Sequence, residues 1–305
     1  MDRRKQIHIG HPVSIGDAIN RSLELAEKDQ SIPTGIPSGY PSLDRITRGW
    51  EPGELVVIGA RPCVGNTAIA LGMARNAAVE FGVSVAYYSL ETSTTELTDR
   101  LIVSESGIPM ERLHGRSRME SEDWQKVESS LMRLSKAPLF IDDTPSRSPC
   151  EYRIAGFRDQ AGKMVNEHQV KLFLVDYLQA ACPDWGRYAP ECLSHECRKN
   201  LRFLKETAFF LGAAVIVLTC TERPENWQGQ APTLLDLGDY CPCAEEYADK
   251  IILLDRPSLT SFDFSEDGIE PFQVRVVLNK SGRMGQAELM FDRKRIRVIE
   301  SSEQL

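Results

Sequence analysis

Residues 59–68 read GARPCVGNTA and lie between an apolar run and a segment with helical spacing. A strand, a glycine-containing turn and a helix in this order are the layout of a phosphate-binding P-loop. Such a loop carries Lys after its last glycine, where the ammonium meets the β- and γ-phosphates, but here Gly65 is followed by Asn66. Thr67 keeps the hydroxyl that can bind Mg²⁺. The sequence therefore predicts a nucleotide-binding loop without its cation, made of Ala60, Arg61, Pro62, Cys63, Val64, Gly65, Asn66 and Thr67.

Two carboxylates follow apolar runs further along the chain. Glu91 closes VAYYSLE and Asp176 closes LFLVD. Phosphoryl transfer needs a phosphate cradle, a metal held by a hydroxyl and a carboxylate, and a group that orients water. α/β proteins place such groups at the carboxyl ends of their strands. Either carboxylate alone could as well be a helix cap, but the loop, Glu91 and Asp176 in this order favour a catalytic site, with Thr67 and Asp176 as its metal position.

The elements that must position these residues are visible as apolar runs. They predict strands at 54–60, 84–91, 137–143, 170–178, 213–221 and 250–255, with helices between them. Continuous apolar strands separated by helices indicate a mainly parallel sheet covered on both faces. The tail from Gln273 alternates apolar and polar residues around KSGRMG, which predicts an antiparallel hairpin. The predicted fold is α/β, a central, mostly parallel sheet flanked by helices with a C-terminal β-hairpin, and residues 31–305 form one domain.

Residues 1–30 are predicted to be a polar tail and one short helix. Apolar residues recur at helical spacing between Ile15 and Lys28, and a loop rich in Pro, Gly and Ser follows. The apolar face of this helix packs either on its own domain or on a neighbouring subunit. We expect the second, which makes helix 15–28 the contact to a neighbouring chain.

Composition narrows the class of protein. The 305 residues are 42% hydrophobic, carry a net charge of −8, and contain neither a membrane-length apolar run nor a secretory signal. The eight cysteines are scattered and predict reduced thiols, so we expect a cytoplasmic protein without membrane partners. The acidic balance argues against wrapping nucleic acid with the whole surface, although it leaves a local basic channel open.

Two further clusters have alternative interpretations. The first could hold zinc but lacks the usual CxxC pairing, so buried or free thiols are favoured; it consists of Cys192, His195, Cys197, Cys241 and Cys243. The second could contact phosphate, although solvated charges on an edge strand are favoured; it consists of Arg293, Lys294, Arg295 and Arg297.

Several stretches together resemble the C-terminal ATPase domain of DnaB-type replicative helicases, which is a RecA-like hexameric motor. They fall in family order between residues 13 and 298 and read IPTGIPSGYPSLDRITRGWEPGELVVIGARP, YYSLE, EDW, FIDDTP and VDYLQ. A P-loop alone is common, whereas SLE, IDDTP and DYLQ in this order are highly specific. The resemblance implies a RecA-like P-loop NTPase fold, ATP and Mg²⁺ as cofactors, and a linker helix at residues 15–28 that docks on the adjacent subunit.

The resemblance also assigns roles by position. Thr67 would ligate Mg²⁺, Asp176 would hold the metal through water, and Glu91 would activate the attacking water. Further nucleotide-binding positions would be Arg223 after the sensor strand, and Lys280 with Arg283 in the hairpin that acts on a neighbouring subunit's nucleotide.

The departures from the family pattern fall on functional positions. Asn66 replaces the P-loop Lys, Cys220 replaces a Gln that senses the γ-phosphate, and Gly238 replaces an Arg in a DNA-contacting loop. The hairpin turn is shorter, and Asp255 replaces an aromatic residue near the base pocket. Two hypotheses remain: a pseudo-ATPase that binds ATP weakly, has weakened affinity for single-stranded DNA and assembles with itself or a helicase, or an active ATP-dependent DNA helicase. We favour the first.

Overall fold

The computed structural model describes residues 14–17, 19–20, 23, 33–115, 117–144, 154–181, 190–222, 229–261 and 264–301. The described residues between 15 and 23 are helical. From residue 33 onward, the described chain is organised around one sheet.

Nine strands form this sheet in the order β3-β2-β4-β5-β1-β6-β7-β8-β9. The first six pair in parallel, and β6 to β9 pair antiparallel. Their bounds are β1 Leu55–Ala60, β2 Val85–Ser89, β3 Leu139–Asp142, β4 Leu172–Asp176, β5 Ala214–Cys220, β6 Lys250–Asp255, β7 Ile269–Asn279, β8 Gly285–Asp292 and β9 Arg297–Glu300.

Helices connect the parallel strands. From residue 33 onward the described helices are α1 Pro41–Thr47, α2 Asn66–Arg75, α3 Thr94–Ser106, α4 Met110–Leu113, α5 Ser121–Leu134, α6 Ile154–His168, α7 Pro190–Leu211, α8 Ala244–Tyr247 and α9 Ser258–Ser261. Of these, α1 precedes β1, and α9 lies between β6 and the antiparallel strand β7. A π-helical turn, Asn76–Glu80, continues α2, and two 3₁₀ segments, Leu178–Ala181 and Leu234–Tyr240, follow β4 and precede α8.

The sheet is buried on both faces because successive side chains of each central strand enter different cores. Val56 and Ile58 pack with α2 in one core, whereas Leu55 and Val57 pack with α7 in the other. Continuous apolar sequence is the signature of such strands. The predicted α/β fold with a mostly parallel central sheet is confirmed.

The C-terminal tail differs from the prediction in extent. The predicted hairpin is β7 with β8, but β7 begins at Ile269, and a third antiparallel strand, β9, follows the turn after Asp292. Because alternation repeats every two residues in any half-buried strand, it does not show where one strand ends and the next begins.

Candidate functional site

The predicted phosphate loop joins the end of β1 to the start of α2. Gly65 precedes the helix with φ 128°, a conformation that side chains other than glycine rarely adopt. A Cβ atom on Gly65 would also lie 3.0 Å from the ring of Phe291. Cys63 has φ 66°, so the loop curls tightly before the helix. The amino end of α2, with its unpaired N–H groups, therefore opens into the loop as an anion-binding position.

Asp176 lies at the end of β4, beside this loop. Its Oδ2 accepts a hydrogen bond of 2.7 Å from the Tyr87 hydroxyl, and the Thr67 hydroxyl also bonds to its carboxylate. Burial raises the pKa of Asp176 above its ordinary value, while the bonds from Tyr87 and Thr67 oppose that shift. The hydroxyl and carboxylate expected to hold Mg²⁺ are thus in direct contact.

Glu91 lies next to Asp176 across the sheet. Ser89 of β2 pairs with Asp176 of β4, and the Leu90 N–H donates to the Asp176 carbonyl at 2.7 Å. The Glu91 side chain is exposed. Its charge contributes to raising the pKa of Asp176 and of Cys220. A solvent-facing carboxylate beside a buried one is an arrangement that can orient water near a metal.

Asn66 stands at the position expected for the loop cation. Its Nδ2 donates to the Thr219 carbonyl of β5 over 3.4 Å. A backbone carbonyl only accepts, so the amide nitrogen must face Thr219 and the amide oxygen must face away. Among the described residues, the buried Oδ1 has no hydrogen-bond partner. This position therefore presents a neutral amide whose nitrogen already donates to the Thr219 carbonyl.

Two guanidinium groups at the loop are engaged by other groups of the protein. Arg61 is buried, lies 3.8 Å from Asp255 and donates to the Gln230 carbonyl at 2.5 Å. Arg256 donates to the Cys63 carbonyl at 3.0 Å and stacks on the ring of Phe291. Arg256 thus braces the loop through a carbonyl. Nothing in the local sequence predicts this contact, because Arg256 follows β6 without a recognisable pattern.

Cys220 ends β5 at the predicted sensor position. Burial, with the charges of Glu91 and Asp176, raises the pKa of its thiol to about 11. At neutral pH the residue is an uncharged thiol, which is a weak hydrogen-bond donor. Its backbone N–H donates to Gln179 Oε1 at 3.4 Å. Gln179 and Tyr87 lie within the motifs DYLQ and VAYYSLE, but the sequence alone predicts no role for either residue.

The remaining predicted positions are distributed as follows. Pro62 and Cys63 are exposed in the loop, and Val64 is buried beneath it. Arg223 lies outside the described residues. Lys280 and Arg283 lie in the β7–β8 turn, next to Asn279, which pairs with Lys250 at the start of β6. The phosphate loop is beyond the other end of the parallel strands, so these two residues are not brought to the loop of their own chain.

The structure also describes parts of the possible zinc cluster and of the basic run at residues 293–297. Cys197 and Cys241 are buried among apolar side chains, and in the described residues no three His, Cys, Asp or Glu side chains form a group that could hold a metal. In the basic run, Arg293 pairs with Glu270, and Arg295 and Arg297 pair with Asp292. No helix within the described ranges is long and apolar enough to span a membrane.

A loop of this layout at the end of a parallel strand, with carboxylates on the neighbouring strand ends, defines the class of RecA-like P-loop ATPase domains. The chain belongs to the family described as DnaB-like helicase C terminal domain, which it matches over residues 35–300.

Relatives and solved structures agree with this family. The chain is 30% identical over 296 residues to the replicative DNA helicase DnaB of Geobacillus stearothermophilus, covering 95% of this chain and 63% of the relative. It is 32% identical to the DnaB helicase of Leifsonia xyli over 81% of this chain and 52% of the relative. A solved DnaB-like replicative helicase, described with its interactions with primase, superposes with a TM-score of 0.80 at 26% identity, covering 95% of this chain and 67% of that one. The chain thus spans about half to two thirds of the length of these curated relatives.

Proposed function

We propose that this chain is a helicase-type ATPase domain that binds Mg²⁺–ATP weakly and hydrolyses it slowly, and that acts mainly as a subunit of an assembly. The observation that carries the proposal is Asn66. Its amide nitrogen is bound to the Thr219 carbonyl, and its oxygen is buried without a donor among the described residues. In the part of the chain that the structure describes, a neutral amide therefore stands where a P-loop holds a cation.

The residues present fit a metal better than they fit a triphosphate. Thr67 and Asp176 would hold Mg²⁺, which prefers oxygen ligands, and Glu91 would orient the attacking water. Charge-assisted hydrogen bonds contribute about 1.5–3 kcal/mol each, and an amide in place of an ammonium loses most of one such interaction. Binding would then rest on the loop N–H groups, the α2 dipole and Mg²⁺.

Catalysis would lose more than binding. Removing one preorganised donor to a transition state typically lowers the rate by about 10²–10³. Two such donors are altered here, because Asn66 replaces the Lys and the neutral thiol of Cys220 replaces the sensor. Lys280 and Arg283 would have to act on a neighbouring chain's nucleotide.

The alternative is an active DNA helicase, the activity for which the curated relatives are named. The segment Leu234–Tyr240 argues for weakened contact with DNA. Gly238 is in a conformation with φ 41°, and a Cβ there would lie 2.4 Å from the Glu222 carboxylate. Gly238 offers no side chain to DNA, and any side chain placed there would adopt a strained φ and displace the Glu222 carboxylate.

Calorimetric titration and single-turnover hydrolysis, with and without single-stranded DNA, test the proposal. We expect the wild type to bind ATP weakly and only with Mg²⁺, and Asn66→Lys to improve affinity more than turnover. The reason is that Lys contacts phosphate in both the ground state and the transition state, so part of its binding energy is uniform.

Adding Cys220→Gln to Asn66→Lys should raise turnover further. Thr67→Val is the control, because it removes the metal-binding hydroxyl and should abolish Mg²⁺-dependent binding in either background. Tight ATP binding without Mg²⁺ by the wild type, or vigorous DNA-stimulated hydrolysis by Asn66→Lys alone, would restore the helicase alternative.

Assembly would use the N-terminal helical segment. Ile15, Ile19 and Leu23 recur every four residues along it, and each side chain is more than half exposed. A groove of about 500 Å³ lies between α3, α5 and the edge strand β3. Its walls are mainly apolar, with Leu101, Ile102, Leu131, Met132, Leu134, Leu139 and Ile141, and Thr98, Glu128 and Ser135 also line it. We assign this groove of a neighbouring chain as the docking position of the segment.

A further inference from the structure

Gln179 occupies a connecting position behind the proposed nucleotide site. The side chain is fully buried, and its amide contacts two chain segments at once. Its Nε2 donates to Thr219 Oγ1 at 2.5 Å and to the Tyr240 carbonyl at 2.6 Å, while its Oε1 accepts from the Cys220 N–H at 3.4 Å. An amide has two N–H hydrogens, so both are in use.

Thr219 connects this amide to the phosphate loop. Its carbonyl accepts from Asn66 Nδ2, and its hydroxyl accepts from Gln179 while donating to the Cys220 carbonyl. Thr219 is fully buried in β5. The residue that replaces the loop cation is therefore joined, through Thr219 and Gln179, to the backbone of Tyr240.

The far end of this chain of contacts is a surface segment. Leu234–Tyr240 is a 3₁₀ segment whose Leu235 side chain is 89% exposed. Gly238 within it departs from helical geometry, so the segment is not a regular helix that resists displacement. At the inner end of the segment, the Tyr240 carbonyl accepts a hydrogen bond from Gln179. A hydrogen-bonded connection thus runs from Thr219 of β5 to a segment that is partly exposed to solvent.

We propose that Gln179 is a positioning residue that couples the state of the phosphate loop to the conformation of Leu234–Tyr240. This deepens the proposed function, on which it rests for the nature of the loop ligand. A phosphate bound by the loop N–H groups also attracts the N–H groups of the Asn66 amide, which then turns outward. That turn releases the Thr219 carbonyl, and the Thr219–Gln179–Tyr240 contacts readjust. By linkage, whatever binds Leu234–Tyr240 changes nucleotide affinity by the same factor.

The first test needs no nucleotide. Amide hydrogen exchange of Leu234–Tyr240 is measured for the wild type and Asn66→Ala. We expect about fivefold faster exchange in the variant, which corresponds to loss of one hydrogen bond of about 1 kcal/mol. In a Thr219→Val background, Asn66→Ala should have no further effect, and Thr219→Ser, which restores the hydroxyl, should restore the response.

Thr207→Val is the matched control, since it removes a fully buried hydroxyl from α7 that bonds the Phe203 carbonyl. Asn66→Ala should act in this background as it does in the wild type. An Asn66→Ala response that persists unchanged in Thr219→Val, or the absence of any response in the wild-type background, overturns the coupling.

The second test adds Mg²⁺ and a non-hydrolysable ATP analogue. Binding should alter exchange of Leu234–Tyr240 in the wild type but not in Thr219→Val, with analogue affinity retained in both. If the wild type binds no analogue by calorimetry, the proposed nucleotide function fails, and the nucleotide-free comparison still decides the coupling.

Discussion

At the scale of single residues, the site contains a buried acid, Asp176, whose charge is only partly compensated. Asp176 is 5% exposed, and its hydrogen-bond partners are two neutral hydroxyls, those of Tyr87 and Thr67. Neutral donors compensate a buried charge less than a cation does, so burial dominates and the pKa is raised. A raised pKa means that the folded chain holds this proton at a pH where the unfolded chain has lost it. The ionised form therefore destabilises the metal-free protein.

Because the pKa of Asp176 is raised, the effect of replacing this residue on stability should depend on pH. Without Mg²⁺, Asp176→Asn should raise the melting temperature at neutral pH, and the gain should shrink as pH falls through the raised pKa, where wild-type Asp176 becomes protonated. Thermal melts in EDTA between about pH 4 and 8 measure it, a range that begins near the ordinary Asp pKa.

Asp267→Asn is the control of opposite sign, because hydrogen bonds from the Ile269 N–H and Ser265 lower the pKa of Asp267. It should destabilise at neutral pH, with a loss that vanishes in acid. A neutral-pH destabilisation by Asp176→Asn would contradict our account of the Asp176 environment.

At the scale of elements, the sequence predicts what local pattern determines. β1, β4, β5 and β6 are continuous apolar runs, and the loop after β1 and the carboxylate after β4 lie at their ends as parallel strands require. Contacts made across the fold have no local signature. Arg256 bracing Cys63, and Gln179 joining β5 to the 3₁₀ segment, depend on which strands become neighbours. The strand β9 was also missed as a separate element, since the pattern of the hairpin continues into it.

The loop between β1 and α2 makes an element-scale prediction. Gly65→Ala should lower the free energy of unfolding by about 1–3 kcal/mol and reduce nucleotide binding, because a Cβ there combines a disfavoured φ with a 3.0 Å approach to Phe291. Gly82→Ala is the matched control, with φ 64° and open space around its Cβ. It carries only the conformational penalty, about 1–2 kcal/mol.

Urea unfolding of both variants measures the difference. Equal losses would show that Phe291 moves aside without cost, and that the tight packing of the loop against β8 does not constrain it.

At the scale of the whole molecule, the scaffold follows the pattern of the family, and the departures from that pattern lie elsewhere. The central strands are buried on both faces and the two cores are continuous apolar clusters, whereas the altered residues concentrate at the strand ends. On the proposed function, such a distribution would keep the contacts between subunits while weakening the chemistry. The stripe at Ile15, Ile19 and Leu23 is apolar and exposed, and the groove at Leu131 and Met132 is mainly apolar, so both lose area exposed to water if they meet.

Contact between the apolar stripe of one chain and the groove of another predicts how the chain associates. Ile19→Asp places a charge on the helical stripe, and Met132→Asp places one in the groove; both wild-type side chains are more than half exposed, so neither change disturbs a core. Each variant alone should sediment as a monomer, because burying an unpaired carboxylate in an apolar contact is unfavourable. Phe209→Asp, on an exposed residue of α7 on the opposite face of the sheet, should assemble as the wild type does.

Mixing the two monomeric variants gives the decisive measurement. An Met132→Asp chain keeps its helix and an Ile19→Asp chain keeps its groove, so one intact junction can form between them and no more. Sedimentation velocity of the mixture should therefore show a two-chain species and nothing larger. If the helical segment packs on its own domain instead, the mixture sediments as the sum of its components, because no surface of one variant can then complete the other.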